Sequence, residues 1–101
     1  MRFYAVAILI AVLAPVFATV HMISITDFLF TPDKLDIAVG DTVTWTNNGG
    51  VIHTAVADDR TSFSSDTLSP LESFSHTFTT AGNVPYFCTI HPFMQGSVNV
   101  T

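Results

Sequence analysis

The chain has 101 residues, and eight Asp and Glu outweigh three Lys and Arg for a formal net charge of −5. That balance excludes nucleic acid and anionic membrane lipid as partners held by charge. A single cysteine excludes an internal disulfide.

Residues 1–18 read as an export segment. Met1-Arg2 is a short basic start, and Phe3 to Ala18 then carries no charge. Val16-Phe17-Ala18 offers modest side chains where a signal peptidase cuts, so removal after Ala18 is expected. The alternative is a retained anchor helix, although the run is short against the roughly 20 residues a spanning helix needs. No cysteine stands near the cut, which excludes a lipoprotein anchor. The remainder, 19–101, is expected to be one domain, exported to the periplasm or an equivalent extracytoplasmic space. Its acids are spread from Asp27 to Glu72, as surface solvation requires. A lone thiol in an exported chain needs an explanation, and a bound metal supplies one.

After residue 18 the pattern is one of short alternating runs separated by turn residues. Met22 to Phe30 alternates first, with Ile23, Ile25 and Phe28 assigned to one face. Thr31-Pro32-Asp33 breaks it. Leu35, Ile37 and Val39 alternate next and stop at Gly40-Asp41. Val43 and Trp45 alternate against Thr42, Thr44 and Thr46, until Asn47-Asn48-Gly49-Gly50 ends the run. His53 to Ala57 reads as a short strand. Asp58 to Leu71 is polar, with Phe63 and Leu68 as anchors, and reads as a long loop or distorted edge. Phe74, His76 and Phe78 share a face opposite Ser73, Ser75, Thr77 and Thr79. Val84 to Cys88 and Gly96 to Val100 close the set. About seven to eight such strands, rich in Thr, Val, Phe and Ile, predict an all-β Greek-key sandwich. Period-two alternation predicts that each strand buries one side.

The chemistry is concentrated in Cys88-Thr89-Ile90-His91-Pro92-Phe93-Met94. Thiolate, imidazole and thioether converge on one ion only if this segment folds back in a tight loop, which Pro92 and Gly96 suit. A fourth ligand must come from elsewhere, and His53, beginning a strand after the Gly-Gly turn, is the candidate. Cys, two His and a weak axial Met are the ligand set of a blue-copper electron-transfer site. Zinc accepts Cys and His, but methionine serves it poorly, and a zinc hydrolase wants a general base. The nearest acids after His53, Asp58 and Asp59, read as loop residues. A Cys–His nucleophile pair needs a third group and a cleft, and neither is visible.

Taken singly, each residue has an ordinary explanation. Cys88 alone is a small buried hydrophobe, Met94 a gap filler, and His53 and His91 surface or core histidines. Their joint spacing in an exported β chain is what argues for metal. His76 shares its face with two phenylalanines and reads as a core or rim histidine. His21 lies beside the cleavage point and reads as exposed.

The chain resembles the cupredoxins, and within them amicyanin and plastocyanin-like domains. The likeness rests on Val39-Gly40-Asp41-Thr42-Val43-Thr44-Trp45, His53, Thr77-Phe78-Thr79 with Ala81-Gly82, and Tyr86 to Met94 before Gly96. It implies one copper ion held by His53, Cys88, His91 and Met94, cycling between Cu(I) and Cu(II). It implies outer-sphere transfer of single electrons, without enzymatic turnover, in a monomer. Redox partners are expected to dock near His91 on Val51, Ile52, Ile90, Pro92 and Phe93; a membrane role depends on retention of the first helix. Copper storage or delivery without redox turnover is the competing role, and a metal-free assembly module a third. Two positions depart from the family pattern. Thr54 stands where Asn usually follows the first histidine ligand and ties the two ligand loops. Ile90 stands where Pro often precedes the second.

Overall fold

The structure is a computed structural model that describes residues 17–101; the expected N-terminal helix lies outside the described residues. Eight strands form two four-stranded sheets: β1 (Val20–Thr26), β2 (Leu29–Thr31), β3 (Lys34–Ile37), β4 (Thr42–Asn47), β5 (Val56–Ala57), β6 (Ser73–Thr77), β7 (Gly82–Phe87) and β8 (Gln95–Val100). One sheet runs β2-β1-β4-β6 and the other β3-β8-β7-β5. The all-β reading and the strand count therefore hold.

Alternation explains the core. In β4, Val43 and Trp45 are fully buried while Thr42, Thr44 and Thr46 face outward. The outward threonines pair across the sheet with β6: Thr42 with Thr77, Thr44 with Ser75 and Thr46 with Ser73, each at 2.7 Å between hydroxyls. Inward, Trp45 packs against Phe63 at 4.9 Å and Tyr86 at 5.4 Å between ring centroids. Aromatic burial on this scale dominates the stability of a small sandwich. Phe63 comes from the long 58–71 segment, which is a distorted edge as expected. It pairs through Val56↔Ser64 and His53↔Leu68.

Three local readings are corrected. The run from Met22 to Phe30 is two strands, not one. It turns at Asp27-Phe28, so that Ile25 and Phe30 pair across an antiparallel hairpin. Ile23 and Ile25 face the core, whereas Phe28 is 47% exposed at the turn. Asp27 leaves the ladder because its carboxylate has partners in another loop. Val39 is 44% exposed because it follows β3 and enters the turn at Gly40, whose φ of +94° favours glycine. The strand expected over His53 to Ala57 is regular only at β5.

Pairing at one end of the sandwich positions the metal-ligand candidates. Val56↔Phe87 in β5 and β7 sets Thr54 over Cys88, and Phe87↔Gln95 in β7 and β8 closes the base of the 88–94 loop.

Candidate metal centre

Cys88 follows β7, where the chain leaves the sheet. The loop then closes on itself: the Cys88 N–H donates to the Met94 carbonyl at 3.1 Å and the Met94 N–H to the His91 carbonyl at 2.9 Å. This brings Cys88 and His91 together, with Sγ 3.7 Å from His91 Nδ1. His53 arrives from the segment that leads into β5, the neighbour of β7. Its main chain is paired in both directions with Leu68, at 3.1 and 2.8 Å. Its Nδ1 lies 3.9 Å from Cys88 Sγ.

The turn before His53 is built by Asn47, which is fully buried. Its amide donates to the carbonyls of Val51 and Leu68, and its side-chain oxygen accepts the Gly49 N–H. A buried amide satisfied on three sides holds a loop rigidly.

One ligand atom each from His53, Cys88 and His91 lies within 4.8 Å of the others. A trigonal ion bound at about 2.0–2.1 Å by nitrogen and about 2.3 Å by sulfur keeps nitrogen and sulfur about 3.8 Å apart. The observed 3.7 and 3.9 Å match that spacing. His53 and Cys88 are fully buried and His91 is half-buried. Met94 is buried in the core on the same loop.

The thiol is set to ionise readily. Burial opposes its ionisation. The Thr54 N–H, the His91 N–H and the two neighbouring imidazoles outweigh this and hold Cys88 down at about 6, from an ordinary 9.0. The Thr54 N–H stands 3.4 Å from Sγ. The Thr54 hydroxyl accepts the Thr89 N–H at 2.8 Å, so this residue bridges the two ligand segments as an asparagine would.

Sequence reasoning missed Asp27. Its Oδ1 is 2.7 Å from His53 Nε2, and Oδ2 accepts the Gly50 N–H at 2.8 Å. The His53 bond first, and the Gly50 and Val51 N–H groups after it, lower the carboxyl below its ordinary 3.8. The one sequence signal was an acid interrupting an apolar alternation. Asp58 and Asp59 are loop residues as read: both are exposed, and Asp59 caps the turn at Thr61 and Ser62. His76 is the rim histidine expected, packed on Phe78 at 4.7 Å, with burial pushing its pKa below 6.5. His21 corrects its reading: it is half-buried and bonded to Asp41 at 2.9 Å.

The profile of copper binding proteins of the plastocyanin/azurin family matches residues 18–101. This chain belongs to that family. Copper is its metal. An amicyanin of Paracoccus denitrificans is 34% identical over 83 residues, covering 78% of this chain and 63% of the relative. The chain thus spans under two thirds of that relative's length. A plastocyanin of Scenedesmus fuscus is 37% identical over 84 residues, covering 71% and 86%. Among solved structures, a purple cupredoxin from Nitrosopumilus maritimus superposes with a TM-score of 0.74 at 32% identity, covering 80% of this chain and 99% of that one. As a copper-binding cupredoxin, the chain has a donor set that suits its metal: one thiolate and two imidazoles, with a thioether on the same loop.

Proposed function

We propose that His53, Cys88, His91 and Met94 hold one copper ion, and that the protein carries single electrons between redox proteins outside the cytoplasm. The observation that carries this reading is the convergence of Cys88 Sγ with two imidazole nitrogens at 3.7 and 3.9 Å. The names of the relatives, amicyanin and plastocyanin, point the same way. When bound, copper supplies the one-electron Cu(I)/Cu(II) couple.

The chain's own residues supply the rest. Leu68 pairs the His53 main chain, and Asn47 and Thr54 brace the segments on either side of it, which limits movement of the ligand when the charge at the site changes. Burial of Cys88 and Met94 keeps water from the sulfur atoms. His91 is the half-buried member and so the route outward. Around it, Phe93 is 70% exposed, Ile52 46%, Val51 40% and Ile90 38%. Exposed apolar side chains grouped at one end suit weak, rapidly exchanging contacts with a redox partner. Lying wholly outside the ligand set, Phe93 is the residue through which docking is separable from the metal.

The test is a visible spectrum. Mature protein loaded with Cu(II) should be intensely blue through thiolate-to-copper charge transfer, and Cys88→Ser should be colourless. A colourless wild type holding tightly bound copper overturns the reading.

A further inference from the structure

The turn that splits the first apolar run touches both histidines. Asp27 Oδ1 meets His53 Nε2 at 2.7 Å. The next residue, Phe28, places its ring 4.8 Å from that of His91 in an edge contact, 6.1 Å from that of His53 and 5.8 Å from Phe93. The two imidazoles, 5.0 Å apart, come from segments 38 positions distant in sequence, and two adjacent residues reach them both.

We propose that the Asp27-Phe28 turn is a positioning device for both imidazole ligands, its carboxylate fixing the tautomer of His53 and its ring restricting that of His91. The proposal rests on the ligand assignment above.

The chemistry follows from the two ring nitrogens of His53. A nitrogen facing a carboxylate carries the proton, which leaves the lone pair on the other. Nε2 faces Asp27, so the lone pair of Nδ1 points to the side where Cys88 Sγ stands. A carboxylate behind a ligating imidazole also makes it more electron-donating. Both that donation and the negative charge favour the higher oxidation state of a bound metal.

The opposite loop is shaped to admit this carboxylate. A Cβ at Gly49 would collide with Asp27 Oδ1 and stand 3.2 Å from Asn47 Oδ1. The Gly50 N–H takes the second carboxylate oxygen. The Gly-Gly pair is therefore a seat for Asp27 as much as a turn. Phe28 shows a related sacrifice: it is a large apolar side chain left 47% exposed in a hairpin whose neighbours Ile25 and Phe30 are buried. Its ring is occupied by His91 and Phe93 instead of the core.

The experiment has a metal-free and a copper-loaded arm. In metal-free protein, long-range ¹H–¹⁵N spectra of the imidazoles should show wild-type His53 as a single Nε2–H tautomer. Asp27→Ala should give a mixture. Relaxation of the His91 ring carbons should show new microsecond–millisecond exchange in Phe28→Leu and none in wild type. In copper-loaded protein, Asp27→Asn should favour Cu(I) over Cu(II) about tenfold, a rise of about 59 mV for one electron. Asp58→Asn removes the same charge from an exposed loop and should shift the potential by less than a third of that. A single Nε2–H tautomer surviving in Asp27→Ala, or equal shifts in the two Asn variants, overturns the role of Asp27. Unchanged His91 relaxation overturns that of Phe28. A wild type that is colourless with bound copper overturns the ligand assignment alone, because the tautomer and relaxation results need no metal.

Discussion

The hydroxyl of Thr54 lies 2.8 Å from both the backbone nitrogen and the hydroxyl of Thr89, joining the His53 segment to the Cys88 loop across 35 positions of sequence. Thr54→Val removes the acceptor while keeping the shape. It strands the Thr89 N–H and should cost about 1–2 kcal/mol in the metal-free protein. Thr54→Ser should keep most of the stability. Urea unfolding of the two variants beside wild type decides this. Equal midpoints for Val and wild type would show that the bridge contributes nothing.

The thiol of Cys88 is held down at about 6 against an ordinary 9.0. A group whose acidity is increased by folding adds stability above its unfolded value and loses it as pH falls through the folded one. Metal-free protein should therefore gain stability as pH rises from about 6 to 9, and Cys88→Ala should flatten that slope. Thiolate absorbance in the ultraviolet should titrate with a midpoint near 6 in the folded protein. A midpoint near 9 would contradict the hydrogen-bonded arrangement around Sγ.

Asp41 gathers the N–H of Thr19, the His21 ring and the N–H of Ala38, in that order of effect, and is held at about 2 against an ordinary 3.8. By the same linkage its contribution is complete above 3.8 and disappears as pH falls toward about 2. Asp41→Asn should move the acid-unfolding midpoint upward. Circular dichroism across that window measures it, and an unmoved midpoint would remove Asp41 from the account of β1 docking.

Gly96 in β8 lies opposite Tyr86, and a Cβ there would run into the phenol ring. Gly96→Ala should destabilise by about 1–3 kcal/mol through overpacking, read as a lowered Tm. Because Gly96 stands two positions after Met94, the same variant should also weaken the colour of the copper-loaded form.

Among the large apolar side chains of the described residues, only Phe17 and Leu71 are more exposed than Phe93. Phe93→Ser should leave the visible spectrum unchanged while slowing electron exchange with a protein partner several-fold. Stopped-flow mixing with any competent partner reads both at once. Unchanged rates would place docking elsewhere.

Much of this was legible in the chain because it is locally encoded. Val43 and Trp45 alternate with threonines, and the burial pattern of β4 follows that alternation residue by residue. The Cys88–Met94 spacing is likewise a local signal, and the loop it predicts is closed by its own main-chain bonds. What could not be read is tertiary. Nothing near Asp27 announces a histidine 26 positions later, and the hairpin at Asp27-Phe28 lacks the glycine or asparagine that marks most tight turns. Phe28 has the side chain and the period of a core residue. Its exposure is decided by a ring on another loop. Thr54 departs from the family pattern in the sequence itself, but its hydroxyl's partner, Thr89, is a matter of how β5 registers against β7.

The paired hydroxyls of β4 and β6 have a bearing on how the molecule meets others. Each of the three threonines is matched by a hydroxyl at 2.7 Å, so this flank spends its donors and acceptors internally and carries no ionic groups on those two strands' outward positions. A visiting protein that meets these two strands finds their hydroxyls already paired and no ionic group on their outward positions to align it. Under the proposed function, a flank so spent leaves docking to the end where the imidazoles and exposed aromatics lie, a form of selectivity achieved by blandness.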